Sequence, residues 1–404
     1  MDSIKKESLD IYPLEEYPVW SIIVLCYKNQ DKLYGMLDSI FIQDYPRIQL
    51  IVSDDGSYDF DVEMVRDYVE KNRGNNIIDV IVRKNTENMK TVAHVRRVLE
   101  LAGNYIVLTA ADDRFVLDSS ISAYNRAFAA NPDALWLVAR CNVLTPDYQR
   151  SIYLTPTAED IPYFEAGDAK RLFSRWSRRG MAVPCSMAFR RAAFEAVGGI
   201  DSSYAYSEDL PLIFKLLRSG HAPIFYPSVT AVHSAGGITN SNSAYGMTVR
   251  RAFYEDKRRL FEQEIEPYLD KLEPEDLRCY NLYRKEIYER NKFLDFEWEG
   301  SSRTRKLKLA FSTPQHFLWV LEQQYMKREK LFHPGKMILT SQFLLFISKY
   351  LLIPDTNNTL CLMYRAAGWM NFCASLVLAP LALVCLIMDF AFNRKQLKRQ
   401  ELVM

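Results

Sequence analysis

The chain has 404 residues, too many for one small domain, and its 51 Lys plus Arg against 50 Asp plus Glu leave a net charge of +1. That balance supplies no global field to attract nucleic acid or acidic polymers, so any basic site must be local. Seven scattered cysteines without a C-x-x-C pair argue for free thiols in a reducing compartment and against a structural zinc site.

Residues 1–18 read as a polar leader with no apolar h-region, which excludes a secretory signal and leaves the first domain expected in the cytosol. Val19 to Cys26 is a continuous apolar run of the length of a buried parallel strand. Asp31 to Phe41 has helical spacing through Leu33, Leu37, Ile40 and Phe41, and Ile48 to Ser53 is a second buried run, so the three form a βαβ unit. The alternation continues through a helix at Val62 to Lys71, a strand at Ile77 to Arg83, a helix at Thr91 to Leu101 and a strand at Tyr105 to Thr109. It predicts an α/β fold with a mostly parallel, Rossmann-like sheet covered on both faces. Beyond Asn125 the pattern loosens, with a strand at Ala134 to Ala139, a stretch punctuated by Pro146, Pro156 and Pro162, a helix at Arg190 to Val197 stopped by Gly198-Gly199, and a helix from Leu210 to Arg218. The domain is expected to span residues 19–245.

Residues 246–336 read as a helical extension with long charged helices such as Arg250 to Glu264 and Tyr280 to Phe293. Residues 337–404 read as hydrophobic, membrane-associated helices with a basic tail. Met337 to Ile353 carries Ser341, Gln342, Ser348 and Lys349 on one helical face, as an in-plane helix does, and Trp369 to Phe392 reaches the length of a bilayer span. Arg394, Lys395, Lys398 and Arg399 place the C-terminus in the cytosol. A hairpin, or two in-plane segments bent at Pro380, keeps both ends there and puts the domain on the cytoplasmic face, docked through residues 337–392. A hydrophobic pair buried against the soluble domain is the alternative.

Three acidic pairs carry candidate chemistry. Asp54-Asp55-Gly56-Ser57 follows the second strand at the carboxyl edge, where open α/β sheets bind ligands; a carboxylate there accepts hydrogen bonds from a base or a ribose, although such clusters also make ordinary turns. Asp112-Asp113 follows the strand at Tyr105, and two hard oxygen ligands suit Mg²⁺ or Mn²⁺ on a diphosphate, with a turn again the competing reading. Glu208-Asp209 precedes a helix, where capping competes with a general-base role.

In this order the segments resemble glycosyltransferase family 2 from about Val19 to Thr239: Ser21 to Asn29 is similar to its first strand and turn, with Tyr27 among the donor-binding residues. Asp54 to Ser57 is similar to its nucleoside motif, Ala102 to Ile106 to the lead into its metal motif, and Ala188 to Arg191 with Gly198 to Asp201 and Ser207 to Asp209 to its acceptor segment. The resemblance implies a GT-A fold and inverting transfer from a nucleotide-diphosphate sugar. Asp54 and Asp55 would bind the nucleoside, Asp112 the ribose, and Asp113 with Asp112 the metal. Asp209 would be the base and Glu208 would position it or the acceptor. His233 would reach the diphosphate or metal, or serve structurally. The sequence departs from the family where Ala110 replaces the first acid of Asp-x-Asp and where Asn88-Met89-Lys90 replaces a glycine-containing pattern. The membrane segments imply a glycan or polyprenyl-linked acceptor in envelope polysaccharide synthesis. A catalytically silent membrane scaffold is the alternative; a dinucleotide oxidoreductase lacks its G-x-G-x-x-G after Leu25.

Overall fold

The computed structural model describes residues 17–235 and 244–294. The apolar segments at 337–353 and 369–392 lie outside them, and among the described residues no helix is long and apolar enough to cross a membrane. The chain divides into two units, Met1–Ile287 and Tyr288–Met404, and the sheet and its covering helices belong to the first.

Four strands, β1 (Trp20–Cys26), β2 (Ile48–Asp54), β3 (Ile77–Lys84) and β4 (Tyr105–Ala110), alternate with helices α1 (Gln30–Phe41), α2 (Val62–Asn72) and α3 (Thr91–Leu99). β2 and β4 both pair in parallel with β1, and β3 pairs in parallel with β2. β1 is apolar apart from Ser21, and Trp20, Ile22 and Val24 on one face and Ile23 on the other are fully buried. After β4 come β5 (Arg114–Phe115), α4 (Ser120–Ala130), β6 (Trp136–Leu144), β7 (Ser151–Thr155), α5 (Ile161–Glu165), α6 (Ala169–Trp176), β8 (Met187–Arg190), α7 (Arg191–Glu195), α8 (Asp209–Arg218) and β9 (Ile224–Ser234). Two further helices, α9 (Ala244–Leu260) and α10 (Pro274–Leu294), follow.

The sheet runs β3-β2-β1-β4-β8-β6-β9-β5, with β7 on the edge of β6. The expected mostly parallel order holds for β1 to β4. Beyond them the sheet is mixed: β8 is antiparallel to β4 and β6, β9 parallel to β6, and β5 antiparallel to β9. β5 and β8 are only two and four residues long and pair antiparallel, so they escape the periodicity that reveals βαβ units. The whole is a Rossmann-like α/β domain. Its tryptophans fill the interior: Trp136 stacks on Phe189, and Trp176 packs edge-on against Phe164.

Candidate functional site

The parallel register aligns the strand ends. Cys26 at the end of β1 lies opposite Asp54 of β2, and Leu25 opposite Ala110 of β4, so both acidic turns leave the sheet from one rim, one on each side of β1. The turns are tied to that strand: Asp55 N–H donates to Cys26 O at 2.9 Å and Ala111 N–H to Leu25 O at 3.0 Å. Burial pushes the Cys26 thiol pKa up, and the charges of Asp54 and Asp112 on its two flanks push it further.

In the first turn the two carboxylates do different work. Asp54 points inward and accepts from Ser57 N–H at 2.7 Å and from Ser57 Oγ at 2.5 Å. It therefore shapes the turn, as the ordinary-turn reading holds, while burial raises its pKa against those bonds. Asp55 accepts from Asn85 Nδ2 and from Met89 N–H, both at 2.9 Å, which ties it to the loop that follows β3. Its pKa is also raised by burial and held back by these donors. Gly56 sits at φ +80°, and a Cβ there would lie 2.5 Å from the carbonyl carbon of Glu87, so this loop crosses the turn where only glycine fits. Tyr27, half-buried beside it, donates its N–H to Asn29 Oδ1 at 3.0 Å and carries the Lys28 ammonium 5.0 Å from its ring centroid. Lys28 N–H donates to Ser57 Oγ at 2.8 Å, joining the turns after β1 and β2.

The second turn meets the end of β9. One residue beyond it, β5 pairs antiparallel with β9 through Arg114 opposite Val232 and Phe115 opposite Ala231, which sets Asp113 against His233. His233 Nδ1 lies 2.8 Å from Asp113 Oδ1, and Asp113 Oδ2 accepts from Ala110 N–H at 3.0 Å. The backbone of Ala110 thus steadies the acid whose usual partner it replaces. Burial lowers the His233 pKa, but the bond to Asp113 outweighs it and the net shift is upward. Burial, then the charge of Asp113, raises Asp112. Tyr148 Oη donates to the Asp112 carbonyl at 2.8 Å, and the Arg114 guanidinium stacks 4.2 Å from the Tyr148 ring centroid. Two buried carboxylates beside one imidazole form a site that a cation relieves electrostatically.

The donor set fits a divalent ion. Ligand atoms of Asp113, His233 and Cys185 all lie within 4.8 Å of one another. Asp113 and His233 offer the oxygen and nitrogen that Mg²⁺ or Mn²⁺ accepts, with the remaining positions left to phosphate and water.

The third acidic pair is held by a residue that sequence reading did not single out. Asp256 on α9 is buried and accepts from three successive backbone groups, Ala205 N–H at 3.0 Å, Tyr206 N–H at 2.6 Å and Ser207 N–H at 3.0 Å. Ala205 O in turn accepts from Val92 N–H at 3.1 Å at the start of α3. The loop entering Glu208-Asp209 is thereby anchored to the segment that also binds Asp55. Glu208 occupies the cap position of α8 but makes no side-chain cap bond, so capping does not account for it. Asp209 Oδ1 accepts from Leu210 N–H at 2.7 Å. Burial and the charge of Asp209 push the Glu208 pKa up to about 8. Burial raises the Asp209 pKa as well, held back by the Leu210 N–H, so the pair as a whole holds a proton more tightly than two free carboxyls would.

Arg96 and Arg97 lie exposed on α3. His94 of the same helix is buried against Ser53 Oγ at 2.7 Å, and desolvation lowers its pKa to about 4, so it is neutral. Asp256 left no trace in the sequence beyond an acid on a helix, because its partners are backbone groups some fifty residues earlier.

The model of Glycosyl transferase family 2 matches residues 21–198, from β1 to the glycine after α7. No curated protein matches the chain. Among solved structures, it is similar to residues 1–349 of TarS from S. aureus in complex with UDP-GlcNAc, at 14% identity over 69% of this chain and 84% of that one, with a TM-score of 0.43. It is similar also to the mannosyltransferase PcManGT from Pyrobaculum calidifontis in complex with GDP-Man and Mn²⁺, at 18% identity over 87% of this chain and 92% of that one, with a TM-score of 0.46.

Proposed function

We propose that the family 2 glycosyltransferase domain of this chain moves a sugar from a nucleoside-diphosphate sugar to an acceptor hydroxyl with inversion at the anomeric carbon. The observation that carries the reading is the rim itself: Asp54-Asp55 and Asp112-Asp113 leave the sheet on either side of β1, and His233 closes on Asp113. Asp55, oriented by Asn85 and the Met89 N–H, takes the nucleoside; Asp54 keeps its turn in shape. Asp112 faces the ribose. Asp113 and His233 hold a divalent cation, Mg²⁺ or Mn²⁺, which when bound offsets charge on the departing diphosphate.

Asp209 takes the proton of the acceptor hydroxyl as its oxygen bonds to the anomeric carbon, and the bond from that carbon to the diphosphate oxygen breaks, releasing the nucleoside diphosphate. Glu208, whose pKa is raised by burial and by the charge of Asp209, positions the acceptor or Asp209. The apolar segments at 337–353 and 369–392 and the basic residues after them support a glycan or polyprenyl-linked acceptor met at the cytoplasmic face of a membrane, in envelope polysaccharide synthesis.

The test is hydrolysis and transfer from a panel of UDP- and GDP-sugars with Mn²⁺. Asp113→Ala is expected to abolish metal-dependent donor binding, and Asp209→Asn to keep binding and lose turnover. Full turnover in Asp209→Asn removes that residue from the base role; absence of any metal-dependent nucleotide binding by the parent protein refutes the reading as a whole.

A further inference from the structure

The Asp113–His233 pair has a neighbour that transfer from a nucleotide sugar does not require. Cys185, in the 3-10 turn Pro184–Ser186 just before β8, is buried, and its Sγ lies within 4.8 Å of the ligand atoms of both residues. Behind it the thiol of Cys141, on β6, is 3.8 Å away. The two cysteines are far apart in the chain and belong to no spacing pattern, which is why the sequence argued against zinc; the sheet brings them together at the metal end of the rim. A hard cation gains little from sulfur, whereas Zn²⁺, Co²⁺ and Cd²⁺ prefer a mixed thiolate, imidazole and carboxylate set.

We infer that Asp113, His233 and the thiolate of Cys185 form a site for a thiophilic divalent cation of the Zn²⁺ class, with its fourth position open. Tetrahedral bonds of about 2.0–2.3 Å put ligand atoms about 3.3–3.8 Å apart, so side-chain rotation within the present cluster suffices. On binding, the metal–sulfur bond forms and the thiol proton leaves to solvent. The His233–Asp113 hydrogen bond is exchanged for one metal bond to each, with the imidazole neutral. Three protein ligands and one exchangeable position make an open site rather than a closed structural one. Affinity rises with pH because a proton is released. As a consequence that rests on the transferase reading, Zn²⁺ competes with Mg²⁺ or Mn²⁺ for Asp113 and His233 and inhibits transfer.

Co²⁺ is the probe. One equivalent added to the full-length protein is expected to give tetrahedral visible bands and a sulfur-to-cobalt charge-transfer band, both bleached by Zn²⁺, and X-ray absorption at the cobalt edge should show a sulfur neighbour at about 2.3 Å. Cys185→Ser and His233→Ala should each lose the charge-transfer band, and Cys141→Ser should retain it. A band that survives both Cys185→Ser and His233→Ala overturns the site, as does a cobalt edge without sulfur in the parent protein, a measurement that needs no variant to fold. Calorimetry of UDP and GDP with Mn²⁺ separates the two proposals. Mn²⁺-dependent nucleotide binding without a cobalt–sulfur signal refutes this site and leaves the function standing, whereas the signal without such binding does the reverse.

Discussion

Removing the Asp256 carboxylate tests the link between fold and site directly. Asp256→Ala leaves the N–H groups of Ala205, Tyr206 and Ser207 without the oxygens that accept from them at 2.6–3.0 Å. A buried donor left unmatched costs about 1–3 kcal/mol. Ser207 is buried while Ala205 and Tyr206 are half-buried, so water re-solvates the latter two in part and the total falls near 3 kcal/mol. For a domain of this size that corresponds to a melting temperature lower by about 6–12 °C. Asp256→Asn keeps one acceptor oxygen and should lose about half as much. Because the three groups precede Glu208-Asp209, turnover of a nucleotide sugar should fall more than donor binding in both variants, with Asn above Ala. Differential scanning calorimetry and single-turnover kinetics measure the two effects. A melting temperature for Asp256→Ala within about 1 °C of the parent, or an equal loss of binding and turnover, would refute the anchoring role.

Gly56→Ala places a methyl group 2.5 Å from the carbonyl carbon of Glu87 at a φ of +80°. It should cost about 1–3 kcal/mol in urea unfolding and weaken nucleotide binding by displacing the loop that orients Asp55. Glu208 titrates at about 8 in the folded chain against 4.5 for the ordinary group, so between those values the native state holds a proton that the unfolded state has lost. Its contribution to stability therefore declines as pH rises across that window, and Glu208→Gln should flatten the decline in urea midpoints measured from pH 5 to 8. His94 acts with the opposite sign: its folded value of about 4 against 6.5 means that the unfolded state binds the extra proton, so stability is lost as pH falls from about 6.5 to 4. His94→Gln should remove that acid-side loss, and an unchanged pH profile would show that the imidazole is not buried against Ser53.

What could be read from residues alone was the part of the molecule built from local repetition. The runs at Val19–Cys26, Ile48–Ser53 and Tyr105–Thr109, each separated by a helical period, specify parallel strands buried on both faces, and an acid just beyond such a strand emerges at its carboxyl edge. Asp54-Asp55 and Asp112-Asp113 were therefore placeable on one rim before any coordinates. Their division of labour was not: Asp54 bonds Ser57 while Asp55 bonds Asn85 and Met89, a difference set by which way adjacent carboxylates turn in a packed loop. The mixed half of the sheet was less legible, because β5 and β8 are too short to carry a period and the pairing partners of β9 lie far from it in the chain. Tertiary structure alone decided which distant side chains meet. The register of β5 on β9 sets His233 on Asp113, the approach of β6 to β8 sets Cys141 beside Cys185, and the return of α9 sets Asp256 on the loop before Asp209. A sequence records hydrophobic periods because burial is repeated along it, but a contact between residues distant in the chain is made once, and nothing repeats.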